Sequence, residues 1–377
     1  MRVLHLGKFF PPVKGGMETI LESICEGTSG LVENVVLVAN DRRETAGERH
    51  GRVAVVRVAA LGRIGAVAVC PTMPFWLSSQ RADVTIIHEP NPMGLLSYFL
   101  ARPPGALIVW FHSEVIRPAW RYRLFYRPLL QFALRRAARI VVASPTLATS
   151  APELKEWQTK CVVIPYGIDC LKDIGSAGSS LRSAAIRAEH SRPVVLFVGR
   201  LVRYKGLHVL LAALRDVSAD AVIVGDGPER AALQRQAQEL GLAERVVFRG
   251  EVDDEELAAL YDACDVFVLP SITRQEAFGV VQLEAMAHGK PVISTDLETG
   301  ISWVNRHLET GLVVPPGDTA ALGAAIQRLL GDAALRLSMG EAARQRVRAE
   351  FSVERMLQAA VALYREVVRG RLAANVA

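Results

Sequence analysis

Two doubly wound α/β domains in tandem are what this sequence predicts, on three observations. Its apolar runs are near-continuous in Val, Ile and Leu rather than alternating, as in strands buried on both faces of a parallel sheet. Segments of helical length separate the runs. The pattern lapses after Asp169 and restarts at Val194.

The first half supplies strands at Val3-Leu4-His5-Leu6, 34–38, 53–58, 84–87, Leu107-Ile108-Val109-Trp110, 140–142 and 162–164. Gly175-Ser176-Ala177-Gly178-Ser179-Ser180 is small and polar, and reads as part of a flexible linker over 171–192. The second half resumes with strands at 194–198, 221–224, 246–248, 266–269, 292–294 and 312–314. Helices are expected between them, for example over 206–216 and 229–241. The domains are therefore 1–170 and 193–352, with a last helical segment over 353–377.

Composition narrows the function classes. With 377 residues, half of them hydrophobic and 22% charged, the chain is a globular protein long enough for two cores. Met1 to Gly7 reads as a buried strand rather than a secretory leader. The longest uncharged run, between Arg63 and Arg81, holds Pro71 and Pro74 and is short for a membrane span. Cysteines at 25, 70, 161, 170 and 264 form no close-spaced metal or redox pair, which suits buried thiols in a reducing cytoplasm. Net charge is +5, and residues 1–180 carry 21 Lys/Arg against 14 Asp/Glu, so the basic excess lies in the first half. Such a face suits anionic lipid or nucleic acid.

The stretch around Glu276 and Glu284 carries the chemistry. A strand ending in Leu269-Pro270 leads into it, and Leu, Ala, Met and Glu after Phe278-Gly279 favour a helix. That helix is expected to start near Ala277 and stop at Gly289-Lys290-Pro291. Eight helical residues rise roughly 12 Å and turn to within about 80° of the start, placing both carboxylates on one side. Such a span suits a ligand with hydroxyls at both ends and an anion at the free N–H groups, as in a nucleotide diphosphate-sugar. Two glutamates eight apart would otherwise be ordinary solvated charges.

Other constellations fall at the ends of predicted strands, where parallel sheets bind ligands. Gly199-Arg200-Leu201-Val202-Arg203-Tyr204-Lys205-Gly206 offers two cations for a departing diphosphate, with Arg203 left as surface. Gly15-Gly16 follows the first strand and opens a helix, allowing close backbone approach, although it lacks the dinucleotide-binding glycine pattern. His112 ends the strand beginning near Leu107. Gly225-Asp226-Gly227-Pro228 reads as a tight turn, and Asp253 to Glu256 as helix N-terminal charge. No Asp-x-Asp occurs, nor any His/Cys cluster with metal spacing, so no metal is expected. Residues 117–136 interleave arginines with aromatics and contain no acid. They read either as a helix packed on the sheet or as a basic face for an anionic membrane surface, and no nucleic-acid module surrounds them.

Pro270-Ser271, Glu276-Ala277-Phe278-Gly279 and Leu283-Glu284-Ala285-Met286-Ala287 together resemble the Glu-x7-Glu motif of a large family of retaining glycosyltransferases. The resemblance covers nearly the whole chain and is strongest from Val194 to Asp318. It implies the GT-B architecture, two Rossmann-like domains facing each other across a cleft, with the last helix, about Val353 to Val368, crossing back onto the first. It implies that Arg200, Lys205, Glu276 and His112 are catalytic, His112 by hydrogen bonding to the sugar. Gly15, Gly16, Val252, Phe278, Gly279, Val280 and Glu284 would hold the donor, Val252 through the loop at the nucleotide base. It also implies retention of anomeric configuration by front-face attack, without metal. The segment Thr299 to Asn305 departs from the commoner Gly-Gly-x-x-Glu and resembles the version in O-antigen mannosyl- and rhamnosyl-type enzymes. The expected donor is thus GDP-mannose or a related GDP-sugar, the acceptor a lipid-linked saccharide, and the location the inner face of the cell membrane. A UDP-sugar donor is the competing expectation. An epimerase of the same fold would need acid/base groups around the sugar, a phosphorylase a pyridoxal lysine context, and a mere nucleotide-sugar-binding protein would not need the full charged set.

Overall fold

A computed structural model describes residues 1–13, 15–65, 67–115, 120, 122–169 and 177–376. They form two compact units, Met1–Tyr166 with Val353–Ala377 and Gly167–Ser352. The expected linker is not one along its length: Ala177–Ala188 is a helix of the second unit, packed on the Asp254–Ala263 helix, with Arg182 3.7 Å from Asp253 and 3.6 Å from Glu255. Small residues there lower side-chain cost in a helix as readily as they loosen a linker.

In the first unit the strands are β1 (Arg2–Leu6), β2 (Glu33–Ala39), β3 (Ala46–His50), β4 (Val53–Val58), β5 (Gly62–Ile64), β6 (Val67–Val69), β7 (Val84–Glu89), β8 (Ala106–Phe111), β9 (Arg139–Val142) and β10 (Cys161–Val163). Eight of them form one sheet in the order β10-β9-β8-β7-β1-β2-β4-β3, parallel except for β3, while β5 and β6 pair separately. The expected strands are all present. The additional β3 and β5 are mostly exposed and lack the apolar runs that mark buried strands, while β6, Val67-Ala68-Val69, is apolar but only three residues long. The strand order reverses between β1 and β7. The helix Val353–Val376 lies in this unit, packed on the helix Gly16–Thr28, and is longer than the sequence suggests.

The second unit has β11 (Val194–Val198), β12 (Asp220–Val224), β13 (Val246–Gly250), β14 (Val266–Leu269), β15 (Val292–Thr295) and β16 (Gly311–Val314). All are parallel, in the order β13-β12-β11-β14-β15-β16, so the reversal lies between β11 and β14. Every residue of β11, β12 and β14 is buried, consistent with helices on both faces. Helix starts are capped where side chains allow: Asp253 accepts from the Glu256 N–H and Asp318 from that of Ala321.

Candidate active site

The two loops at the β11/β14 reversal are fastened together. After β11, Arg203–Lys205 form a short turn ended by Gly206 at φ 72°, and a Cβ there would collide with the Pro270 carbonyl. After β14, the Ile272 N–H donates to the Tyr204 carbonyl at 2.8 Å. Side chains complete the join: Lys205 Nζ lies 2.5 Å from Glu276 Oε2, which also accepts from Ser271 Oγ at 3.2 Å. Lys205 and Glu276 are both buried, and Ser271 wholly so. Burial, the largest single influence, pulls the Lys205 ammonium down, but the Glu276 charge, the Tyr204 phenol and the hydrogen bond to Glu276 together outweigh it, and its pKa stands above the ordinary value. Lys205 is therefore a fixed cation at neutral pH.

A third loop holds Glu276 from behind. Thr299 Oγ1 donates to the Glu276 carbonyl at 2.9 Å, and the Gly300 N–H to that of Ala277 at 2.7 Å. The sequence singled out Thr299 to Asn305 only as a departure from a pattern, and its role in placing Glu276 was not foreseen.

The helix after the β14 loop starts later than expected. It runs Val280–Ala287, with Gly279 as N-cap at φ 70°. Glu276 is thus in the loop and Glu284 on the helix, so a single helix does not space the two carboxylates. The left-handed Gly279 breaks the helical path that Leu, Ala and Met propensities would extend. Val280 and Val281 open the helix, where backbone N–H groups have no intrahelical acceptor. Glu284 is half-buried and its Oε2 accepts from the Tyr261 hydroxyl at 2.7 Å. Burial, then the Glu284 charge, hold that phenol well above its ordinary pKa, so it stays a donor. The Phe278 ring is buried against Trp303 and Phe351, and its carbonyl accepts from Gln282 Nε2 at 2.6 Å. Arg200 and Arg203 are exposed, and half-buried Val252 follows the β13 end at Gly250. Gly225 and Gly227 are tightly seated because a Cβ on either would strike the Gly199 or Leu201 carbonyl.

In the first unit, β1, β7 and β8 also bring their ends together. Gly15 precedes the helix Gly16–Thr28, but the Glu18 carboxylate stands where a Gly15 Cβ would be. Burial raises the Glu18 pKa. The Gly15 side is thus faced by an acid, which disfavours an anion there, while nothing lies within 4 Å of a Cβ on Gly16. His112 is buried, with Nε2 2.9 Å from His88 Nδ1 and Nδ1 2.6 Å from the Tyr166 hydroxyl. Both ring nitrogens already have protein partners, so a bond to a sugar must replace one of them. Burial lowers the His112 pKa to about 3. Sequence reasoning missed Glu89, which is fully buried at the end of β7 with its Oε2 bonded to the Tyr126 hydroxyl at 2.5 Å and to the Asn91 N–H at 3.0 Å. Among the described residues its Oε1 has no partner.

Of the basic segment, residues 117–119 and 121 lie outside the described residues. The rest divides the two readings. Leu130, Ala133 and Leu134 of the helix Arg127–Arg136 are buried, while Trp120, Leu124 and Phe125 are exposed beside Arg123 and Arg127. Among the described residues no helix is long and apolar enough to cross a membrane. Glu22, Glu26 and His50 bring ligand atoms within 4.8 Å of one another, but none belongs to the Lys205–Glu276 group.

Residues 182–346 match the family described as glycosyl transferases group 1, and residues 15–167 match the glycosyl transferase 4-like domain. The chain is 36% identical to the D-rhamnosyltransferase WbpZ of Pseudomonas aeruginosa, over 93% of this chain and 92% of that protein. It is 32% identical to the O-antigen chain mannosyltransferase C of Escherichia coli, over 98% and 100%. Sucrose-phosphate synthase from Thermosynechococcus elongatus superposes with a TM-score of 0.82 at 24% identity, covering 98% of this chain and all of that one. Anabaena HepE in complex with UDP gives 0.77 at 23%, covering 97% and 100%. By sequence and by fold, the chain belongs to the group 1 glycosyltransferases of GT-B architecture.

Proposed function

We propose that this glycosyltransferase moves mannose, or a closely related hexose, from a GDP-sugar to a lipid-linked oligosaccharide during surface-polysaccharide assembly. The observation that carries the reading is the buried Lys205–Glu276 pair at the β11/β14 reversal, beside the opening of the helix Val280–Ala287. A cation, a hydroxyl-accepting carboxylate and free backbone N–H groups are what a sugar diphosphate requires. Lys205 and Arg200 would take the diphosphate charge, Glu276 a sugar hydroxyl, and Glu284 the ribose. The named relatives, a D-rhamnosyltransferase and an O-antigen mannosyltransferase, support the sugar and the acceptor class.

In the step itself, the bond from the anomeric carbon to the diphosphate oxygen breaks. The acceptor oxygen bonds to that carbon on the same face, and its proton passes to the departing diphosphate. The configuration is thereby retained. Lys205, Arg200 and the helix start supply the charge that a metal ion would otherwise supply. Contact with anionic lipid through Arg123, Arg127, Trp120, Leu124 and Phe125 would hold the enzyme at its acceptor.

A donor panel read by mass spectrometry tests this. GDP-mannose or a related GDP-sugar should be consumed, with or without EDTA, and proton NMR of the product should show a retained anomer. Inversion, or preference for a UDP-sugar, would overturn the corresponding part. No turnover of any nucleotide sugar would overturn the whole. Sedimentation with anionic but not neutral vesicles is expected, and equal binding to both would remove the electrostatic contact.

A further inference from the structure

A row of polar side chains crosses the first unit's sheet on one face. Asn34 stands on β2, His5 on β1, His88 on β7, and His112 just beyond β8. Register explains the row. His5 pairs with Val36 and Ile86, and His88 with Trp110, so each member lies two residues from its neighbour's partner and shares its face. The chain is continuous: Asn34 Oδ1 to His5 Nε2 is 3.2 Å, His5 Nδ1 to His88 Nε2 3.0 Å, His88 Nδ1 to His112 Nε2 2.9 Å, and His112 Nδ1 to the Tyr166 hydroxyl 2.6 Å. All are buried.

Its direction follows from one end. The Asn34 amide nitrogen donates to the Cys25 carbonyl at 2.7 Å and to Thr28 Oγ1 at 2.8 Å, and Thr28 in turn donates to the Ile24 carbonyl. A flipped amide would set an oxygen against the Cys25 carbonyl, so Asn34 Oδ1 must be the acceptor toward His5. His5 then donates from Nε2 and, being neutral, can only accept at Nδ1. The same reasoning passes to His88 and to His112. Burial lowers the pKa of all three rings, which keeps them neutral.

We infer that Asn34, His5 and His88 are positioning residues that hold His112 as a neutral ring protonated at Nε2, so that Nδ1 meets Tyr166, or any hydroxyl replacing it, only as an acceptor. A sugar hydroxyl reaching His112 must therefore donate. That bearing on catalysis rests on the proposed glycosyl transfer, whereas the tautomer does not.

Long-range proton–nitrogen NMR of the histidine-labelled full chain at neutral pH reads the tautomers directly. Nε2–H signals are expected for His5, His88 and His112. An Nδ1–H tautomer or an imidazolium at His112 overturns the inference, whether or not any donor is turned over. His5→Phe keeps the ring volume but removes the acceptor for His88. His88 should then protonate at Nδ1 and drive His112 to the opposite tautomer, with kcat falling about tenfold, the scale of one lost ordering hydrogen bond. His5→Gln, whose carbonyl can still accept from His88, should restore the native signals and rate. Tyr166→Phe should leave the His112 tautomer unchanged, because direction is set from the Asn34 end. A native His112 signal in folded His5→Phe would show that His5 positions nothing. Should that variant fail to fold, the native spectrum and Tyr166→Phe still decide.

Discussion

Lys205 Nζ and Glu276 Oε2 stand 2.5 Å apart with both residues 8% exposed, joining the loops that follow two adjacent strands. Removing one partner strands a buried charge, at a cost of roughly 3–5 kcal/mol. Lys205→Ala and Glu276→Ala should each lose stability on that scale in urea unfolding. Lys205→Met combined with Glu276→Gln should lose less than either. Turnover by each single variant should fall at least about a hundredfold. Arg200 is exposed, so Arg200→Ala should lower turnover while leaving the unfolding midpoint in place. Single variants that cost under about 1 kcal/mol would mean that the pair is solvated.

Gly206 and Gly16 separate backbone strain from ligand approach. Gly206 has φ 72°, and an added Cβ meets the Pro270 carbonyl, a backbone atom that cannot step aside. Gly206→Ala should destabilise by about 2 kcal/mol or more and displace Lys205 from Glu276. Gly16 has open space where its Cβ would stand. Gly16→Ala should stay within about 0.5 kcal/mol of the parent, as at an unconstrained site. If a substrate approaches that backbone, activity falls without a change in melting temperature. Unchanged activity would remove Gly16 from the site.

The sheets were legible because burial on both faces writes itself into the chain as uninterrupted Val, Ile and Leu, as at Val194–Val198. Exposed β3 carries no such signature in Ala46–His50. The helix after β14 was misplaced by three residues because propensity is a local quantity, whereas Gly279 takes a left-handed conformation imposed by the loop. Lys205 and Glu276 were each visible as candidates, but their direct pairing depends on strands 68 residues apart in sequence lying side by side. The row of Asn34, His5, His88 and His112 was written in the sequence as same-face positions on three strands and just past the end of a fourth, yet it shows only once their order is known.

Tyr261 offers a test of Glu284 that leaves the carboxylate in place. Its hydroxyl donates to Glu284 Oε2 at 2.7 Å, while its ring is buried and stacked on His288 at 5.4 Å. Tyr261→Phe keeps the packing and removes the hydrogen bond that helps orient Glu284. If Glu284 binds the donor equally in ground and transition states, KM for the nucleotide sugar should rise about fivefold with kcat unchanged. A fall in kcat at constant KM would place Glu284 in the chemistry instead. No change in either would detach it from the donor.

Glu89 makes stability depend on pH in a defined direction. Burial raises its pKa from 4.5 to about 7, against the lowering effect of the Tyr126 and Asn91 hydrogen bonds. The folded chain therefore binds more protons than the unfolded chain between those values, and this group's contribution falls as pH rises through the interval. Below about pH 4 the carboxyl is protonated in both states and contributes nothing to the difference. Above about pH 8 the buried carboxylate costs about 3 kcal/mol. Glu89→Gln retains an oxygen for Tyr126 and Asn91 but cannot ionise. Its stability relative to the parent, from urea unfolding at a series of pH values, should rise from near zero at acid pH to about that figure at pH 8. A difference flat across the series would mean that Glu89 titrates as an ordinary carboxyl and that its Oε1, without a partner among the described residues, is reached by water.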